Sequence, residues 1–291
     1  VRGDDKSREY GDANPTFTAT YTGWKNSQNL GTSDVTGAPA LTTEADELSD
    51  VGTYAISTGN GGLASGNYAF RFENGSLTIG KATVKVSADN KSRIYGDANP
   101  AFTATYTGWK NNQNLGTSDV TGAPALTTEA DELSDVGTYA ISTGNGGLAS
   151  GNYAFQFENG TLTIGKAMVK VSADNKSREY GDANPTFTAT YLGFKNNQVL
   201  ASSGIAGDPS LTTEADELTD AGTYSIRSLP GALSSGNYDF QFENGTLTIG
   251  KAPCFLSRRY PSIRFGGSGP SNTGTPKSAS FGAPCSAVSP S

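Results

Sequence analysis

The sequence predicts a mainly β chain of three tandem repeat domains, and three observations carry that prediction. The string Tyr-Gly-Asp-Ala-Asn-Pro begins at Tyr10, at Tyr95 and at Tyr180, so a frame of 85 residues recurs with no insertion or deletion. Residues 10–82 and 95–167 differ at only four positions, Thr16/Ala101, Ser27/Asn112, Arg71/Gln156 and Ser76/Thr161. The apolar residues fall in short alternating runs parted by Gly, Thr, Asn and Asp, which is the pattern of turn-rich β structure rather than of a disordered chain. The frame divides the chain into residues 1–82, 83–167 and 168–252, the first short at its start, and a tail of 253–291.

The second copy shows why each element is expected. Thr83-Val84-Lys85-Val86-Ser87-Ala88 alternates with period two and reads as a strand. Asp89–Ser92 is a turn cluster, and Tyr95–Pro100 a structured corner in which Gly96 permits positive φ and Pro100 pushes Asn99 to extended geometry. A second strand at Phe102–Tyr106 places Phe102, Ala104 and Tyr106 on one face. One short helix or helical turn is expected near Asn112–Val120, and strands at Ala125–Thr128 and Thr138–Ser142. The strongest local signal is Asn159-Gly160 between Tyr153–Phe157 and Thr161–Ile164, which predicts an antiparallel hairpin on a two-residue turn, with equivalents at Asn74-Gly75 and Asn244-Gly245.

Only Gly165-Lys166-Ala167 joins the second repeat to the third, so the expectation is a linear array of semi-rigid beads with small contacts between neighbours. Each bead should measure roughly 30–40 Å and the three together about 100 Å by size scaling. In the tail, Phe265-Gly266 and Pro270 fall in frame on Tyr95-Gly96 and Pro100, the expectation being a degenerate start of a fourth repeat; beyond Pro270 the sequence reads as disordered. Val1 aligns with Val86, inside a strand, and there is neither an initiator Met nor a signal peptide, so the expectation is a piece cut from something longer.

Composition excludes several functions. The formal charge is −7, and residues 1–252, with 17 basic and 28 acidic residues, stand at −11, which disfavours duplex nucleic acid as a partner. There is no histidine, so the commonest general base and every His-containing zinc site are excluded. The two cysteines, Cys254 and Cys285, lie in the tail, leaving the repeats free of disulfides and thiolate metals, which fits an exported bacterial protein. No apolar run approaches the roughly 18 residues of a membrane span.

These segments resemble the MBG domain of the YGX type. The likeness is carried by Lys81-Ala82, Val84-Lys85-Val86, Asp89-Asn90-Lys91-Ser92 and Tyr95–Pro100, then by Tyr106-Thr107-Gly108-Trp109, Gly122-Ala123-Pro124, Asp135–Tyr139, Asn152-Tyr153 and Asn159–Thr163. It covers nearly all of residues 4–252, three times over. The resemblance implies a β-grasp-like module strung in tandem in large bacterial cell-surface or secreted proteins, including filamentous-haemagglutinin-like adhesins. It also implies a spacer or mucin- and glycan-facing role and no catalytic residues. The third repeat departs at Phe194, where the others have Trp, and at Leu229-Pro230, which bears on binding rather than on fold.

Three motifs are site candidates. The acidic loop holds Glu129, Asp131, Glu132 and Asp135, repeated as Glu44, Asp46, Glu47, Asp50 and as Glu214, Asp216, Glu217, Asp220. Clustered loop carboxylates suit calcium, which takes six to eight oxygens. They equally suit a solvated loop that keeps a sheet edge charged. Trp24, Trp109, Tyr10 and Tyr95 are either stacking platforms for sugars or core aromatics. Arg2-Gly3-Asp4 is an integrin-type tripeptide that the other repeats replace by Ser-Ala-Asp, hence an expected coincidence. The Gly59–Gly62 loop precedes no helix and is no phosphate cradle. No cofactor is expected, calcium apart.

The reading is a non-catalytic structural and adhesive repeat region, with glycans or mucins and neighbouring repeats as partners. The alternatives are a calcium-stiffened spacer, or a fragment of a secreted carbohydrate-active enzyme that lacks its catalytic part. For the non-catalytic reading, no cavity with converging polar groups and excluded water should recur at equivalent positions from repeat to repeat.

Overall fold

The computed structural model describes residues 1–254, and the expected fourth-repeat start at Phe265–Pro270 lies outside them. The described chain is nearly all β, in three tandem repeats; its one helical element is a 3-10 turn at Leu200–Ser202, in the third repeat's counterpart of the segment where a short helix was expected. It falls into two compact units. The first comprises Val1–Val169 with Gly193–Ile205 and Ser234–Asp239, and the second Lys170–Leu192, Ala206–Leu233 and, of the described residues, 240–254.

The second repeat, within the first unit, shows the plan. Its strands are β1 (Ala82–Ala88), β2 (Lys91–Ile94), β3 (Ala104–Thr107), β4 (Ala125–Thr127), β5 (Gly137–Gly144), β6 (Tyr153–Glu158) and β7 (Gly160–Gly165). They divide between two sheets, one of order β4-β5-β7-β2 and one of order β6-β1-β3. The central strand β1 pairs parallel with β6, Tyr153 opposite Ala82, and antiparallel with β3. In the other sheet β7 pairs antiparallel with β5 and parallel with β2. Alternation does what period two requires: Ala82, Val84, Val86 and Ala88 of β1 point inward, as do Leu162 and Ile164 of β7, all buried.

In the first repeat, Lys6–Glu9, Ala40–Thr42, Gly52–Gly59 and Gly75–Gly80 build the same four-stranded sheet, and Arg2–Gly3 pairs with Ala19–Thr20. The second unit repeats it with Lys176–Glu179, Gly245–Gly250, Gly222–Leu229 and Ser210–Thr212, over a core of Ala173, Ala215, Ile226, Leu247 and Ile249.

Three expectations are corrected. The hairpin at Asn159-Gly160 does not form, because β6 and β7 belong to different sheets. Gly160 has no positive φ; it is glycine because a Cβ there would lie 2.5 Å from the Ala88 carbonyl oxygen, where the chain crosses from one sheet to the other. Asn159 instead accepts the Thr143 N–H at 2.9 Å. Second, the presumed turn cluster is turn only at Asp89-Asn90, since Lys91 opens β2. Asn90 accepts both the N–H and the hydroxyl of Thr161, which ties the turn to β7.

Third, contacts between neighbours are not small. One continuous apolar cluster joins Tyr10, Ala45, Ile56, Leu77, Ile79 and Ala82 of the first repeat to Val84, Val86, Val120, Leu148 and Tyr153 of the second. Lys81 is the only residue between consecutive strands there, and its ammonium donates to the Ser150 carbonyl at 2.7 Å. So short a link presses two apolar ends together, and they bury each other.

Candidate functional site

The acidic loop is built from the Tyr-Gly-Asp-Ala-Asn-Pro corner. Arg93, 9% exposed at the end of β2, donates to Asn99 Oδ1 at 2.7 Å and to the Asp131 carbonyl. Asn99 in turn donates to the Ala130 carbonyl at 2.7 Å. The buried Arg93 and the half-buried Asn99 thus hold the loop by its backbone and leave its carboxylates outside. Asp131 accepts the Leu133 N–H and the Ser134 hydroxyl, each at 3.0 Å, and the Ser134 bond, then the Leu133 bond, hold its carboxyl below the ordinary range. Glu129 and Glu132 are exposed, and Asp135 bonds to Asn237. Glu129, Asp131, Glu132 and Asp135 are therefore not gathered on one point, and among the described residues no three acidic or thiol groups converge as metal ligands. The correction has a physical reason: two of these carboxylates already have fixed donors.

An open hollow recurs at this loop in all three repeats, exposed to solvent rather than closed to it. In the second repeat it is lined by Asn99, Ala130, Asp131, Glu132 and Leu133. Its Asn99 amide and Asp131 carboxylate are engaged in the bonds just given, so they shape the loop.

The aromatic candidates divide. Tyr10 and Tyr95 are each 4% exposed and cannot present a face to a sugar, which corrects that expectation. Trp109 is half-buried, stacked on Tyr106 at 6.0 Å and edge-on to Tyr153 at 5.3 Å. Trp24 repeats this with Tyr21 and Tyr68, beside a cleft of about 330 Å³ lined also by Val1, Arg2 and Phe70. In Arg2-Gly3-Asp4 the aspartate accepts the hydroxyls of Thr18 and Thr20, and Arg2 pairs with Asp5 at 2.9 Å, so the tripeptide is tied into a strand end.

What recurs with converging side chains is the joint between repeats. At the first joint, Asn152, 8% exposed, reads the end of the preceding β5 equivalent: it accepts the Val51 N–H at 2.9 Å and donates to the Asp50 carboxylate at 2.8 Å. Tyr10 meets Tyr153 edge to face at 5.4 Å. A relay fixes both rings: the Lys110 N–H donates to Tyr153 Oη at 3.1 Å, Tyr153 donates to Gln113 Oε1 at 2.6 Å, and Gln113 Nε2 donates to Tyr10 Oη at 3.2 Å. Burial raises the Tyr153 phenol above its ordinary range. The Lys110 ammonium bonds Asp12 at 2.7 Å, which holds the Asp12 carboxyl below its ordinary value and Lys110 above its own. Asn111 donates to the Glu47 carbonyl at 3.2 Å. Asp119, which burial would raise, is held below the ordinary range by the Ser150 hydroxyl and the N–H groups of Gly151 and Asn152, and so anchors the Asn152 loop.

The second joint lies in the same compact unit and repeats the bonds across the joint one frame on, although Gly204 stands where Asp119 anchors the Asn152 loop. Lys195 bonds Asp97 at 2.8 Å, Gln198 bonds Tyr95 at 3.1 Å, Asn196 bonds the Glu132 carbonyl at 3.1 Å, and Asn237 bonds Asp135 at 2.7 Å and the Val136 N–H at 3.0 Å. Tyr95 and Tyr238 are again 5.4 Å apart, edge to face. Gly96, at φ +80°, is glycine for the joint's sake: a Cβ there would fall 2.3 Å from Lys195 Cβ. Lys110, Gln113, Asn152 and Tyr153 went unread as site residues, although a three-residue link demands that polar positions idle within a repeat be tested one frame away.

The family model for the MBG domain (YGX type) matches residues 1–78, 84–163 and 169–248. No curated protein sequence matches the chain significantly. Among solved structures, the I9–I11 tandem of titin aligns over 87% of this chain and 98% of its own, at 12% identity and a TM-score of 0.21. Drosophila N-cadherin EC1–3 aligns over 86% and 98%, at 10% identity and 0.21. The immunoglobulin domains 1–4 of Sidekick-1 align over 69% and 58%, at 10% identity and 0.19. Scores this low say nothing of a shared architecture.

Proposed function

We propose that this chain, which belongs to the MBG domain (YGX type) family in three tandem copies, is a non-catalytic spacer region of a bacterial cell-surface or secreted adhesin-type protein. The observation that carries the reading is the twice-repeated joint, whose Asn, Tyr, Gln and Lys side chains hold the preceding repeat. An array that invests its converging polar groups in its own joints is suited to holding a distance. The cysteine-free repeats and their likeness to adhesin modules support the setting at a bacterial surface.

The test is a distance distribution between spin labels placed in the first and second repeats. A narrow distribution that broadens in Asn152→Ala is the expected result; an equally broad one in the unaltered chain overturns the spacer reading. Turnover of a glycoside or an ester by the purified chain would overturn the non-catalytic reading.

A further inference from the structure

Each joint consists of a plug and a socket. The plug is Tyr10, Gly11, Asp12 and Asp50 at the first joint, and Tyr95, Gly96, Asp97 and Asp135 at the second. The socket is Lys110, Gln113, Asn152 and Tyr153, then Lys195, Gln198, Asn237 and Tyr238.

The first repeat presents a socket of its own, formed by Lys25, Gln28, Asn67 and Tyr68. Its internal bonds are already made: the Lys25 N–H donates to Tyr68 Oη at 3.2 Å, and Tyr68 donates to Gln28 Oε1 at 2.6 Å. The left-handed pair that shapes it is also in place, Asn26 and Ser27 at φ 56° against 53° and 55° for Asn111 and Asn112. Lys25 and Asn67 are exposed, whereas Lys110 is half-buried and Asn152 buried.

The second unit presents a plug. Tyr180 is 42% exposed, against 4% for Tyr10 and Tyr95. Asp182 and Asp220 are exposed. Among the described residues a Cβ on Gly181 would meet nothing within 4 Å, where that on Gly96 would collide with Lys195.

We infer that the Lys25, Gln28, Asn67, Tyr68 socket binds the Tyr180, Asp182, Asp220 plug of a second copy of this chain, head to tail. The chemistry is that of the internal joints: Lys25 against Asp182, Asn67 against Asp220, Tyr68 edge-on to Tyr180. Each face is pre-shaped and of opposite charge to the other. Such a contact is heterologous, so it extends by addition at either end unless the rotation closes a ring. Inside the chain the link supplies an effective concentration in the millimolar range, on the order of 1 mM, and between chains that help is lost, so association sets in at high protein concentration.

Sedimentation equilibrium of the full chain up to about 1 mM tests this. The average mass should rise with concentration. Lys25→Asp alone, which sets Asp182 against an aspartate, and Asp182→Lys alone, which sets two lysines together, should each weaken association at least about tenfold, the effect of a like-charge contact in place of a pair. An equimolar mixture of the two variants, or the double variant, restores opposite charges at every contact and should restore association. A strictly monomeric chain at the highest concentration overturns the inference. So does association that both single variants leave unchanged, or that the mixture fails to restore.

Discussion

Tyr95 and Tyr180 occupy one position of the repeat in two settings, and the difference between them measures what a joint contributes. Tyr95 is buried against Tyr238, with its hydroxyl bonded to Gln198; Tyr180 is 42% exposed. Truncating a buried aromatic removes its apolar area and leaves a cavity, so Tyr95→Ala should cost about 3 kcal/mol in urea unfolding, and Tyr180→Ala at most about 1 kcal/mol. Equal costs would mean that the joint adds nothing to what the corner itself provides. The ion pair at the first joint is weaker and depends on pH. Asp12 titrates below its ordinary 3.8, chiefly through its bond to Lys110, so its contribution is complete above that value and is lost as pH falls through the lower folded value. Lys110 titrates above its ordinary 10.5, chiefly through Asp12, so its contribution is complete below that value and is lost as pH rises through the higher folded one. The difference in melting temperature between the native chain and Asp12→Asn should therefore be flat from about pH 5 to pH 9 and shrink at both extremes. Both side chains are more than a third exposed, so the pair is worth no more than about 1 kcal/mol at the plateau.

At the scale of elements, the strands follow from local pattern and their pairing does not. Val84 and Val86, and Leu162 and Ile164, alternate with polar neighbours, and the chain does form β1 and β7 where that alternation lies. Asn159-Gly160 carries the local mark of a primed turn, yet which sheet a strand joins is decided by partners about 70 residues away, Ala82–Ser87 for β6 and Lys91–Ile94 for β7. No window around Asn159 contains that information. Lys91–Ile94 was hidden for the same reason: Lys and Ser beside an Asp-Asn turn read as loop until the parallel partner is known. The acidic loop and the aromatics were legible as residue types, but their roles depend on Asn152 and Asn237 meeting a neighbour one frame away, a fact of packing. The glycine decides between the two accounts of Asn159-Gly160. In a primed turn Gly160→Ala would meet the backbone cost of positive φ; here the methyl meets the Ala88 carbonyl at 2.5 Å and must push two sheets apart. The variant should lose about 2 kcal/mol or more in denaturant unfolding, while Gly147→Ala, at φ +123° with nothing within 4 Å, should lose about 1 kcal/mol through strain alone. A Gly160→Ala protein as stable as the native chain would contradict the close crossing.

For the whole molecule, the issue is whether the repeats melt as separate domains or as one coupled array. Separate beads would melt alike whether alone or in tandem, since each would carry its full stability within itself. The shared cluster from Tyr10 to Tyr153 argues otherwise, because removing the second repeat would bare Tyr10 and Val51, and removing the first would bare Tyr153 and Asn152. In a nearest-neighbour array, stability is the sum of the repeat terms and the joint terms, and here each joint contains a buried tyrosine pair and an asparagine with two bonds to the preceding repeat. A chain of residues 83–252, with one complete joint, should therefore melt about 5 °C or more above residues 83–167 alone, since 1 kcal/mol moves the midpoint of a domain this small by about 4–8 °C. The calorimetric transition of the longer chain should be a single one, and Asn237→Ala should lower it towards the midpoint of the isolated repeat and then split it. Chelator should leave all of these midpoints in place if the carboxylates of the acidic loop are held by the donors described; a midpoint that falls with chelator would restore calcium at Glu129, Asp131, Glu132 and Asp135. Two overlapping transitions at the midpoint of the isolated repeat, unmoved by Asn237→Ala, would return the repeats to independence and make the joints contacts without energetic weight.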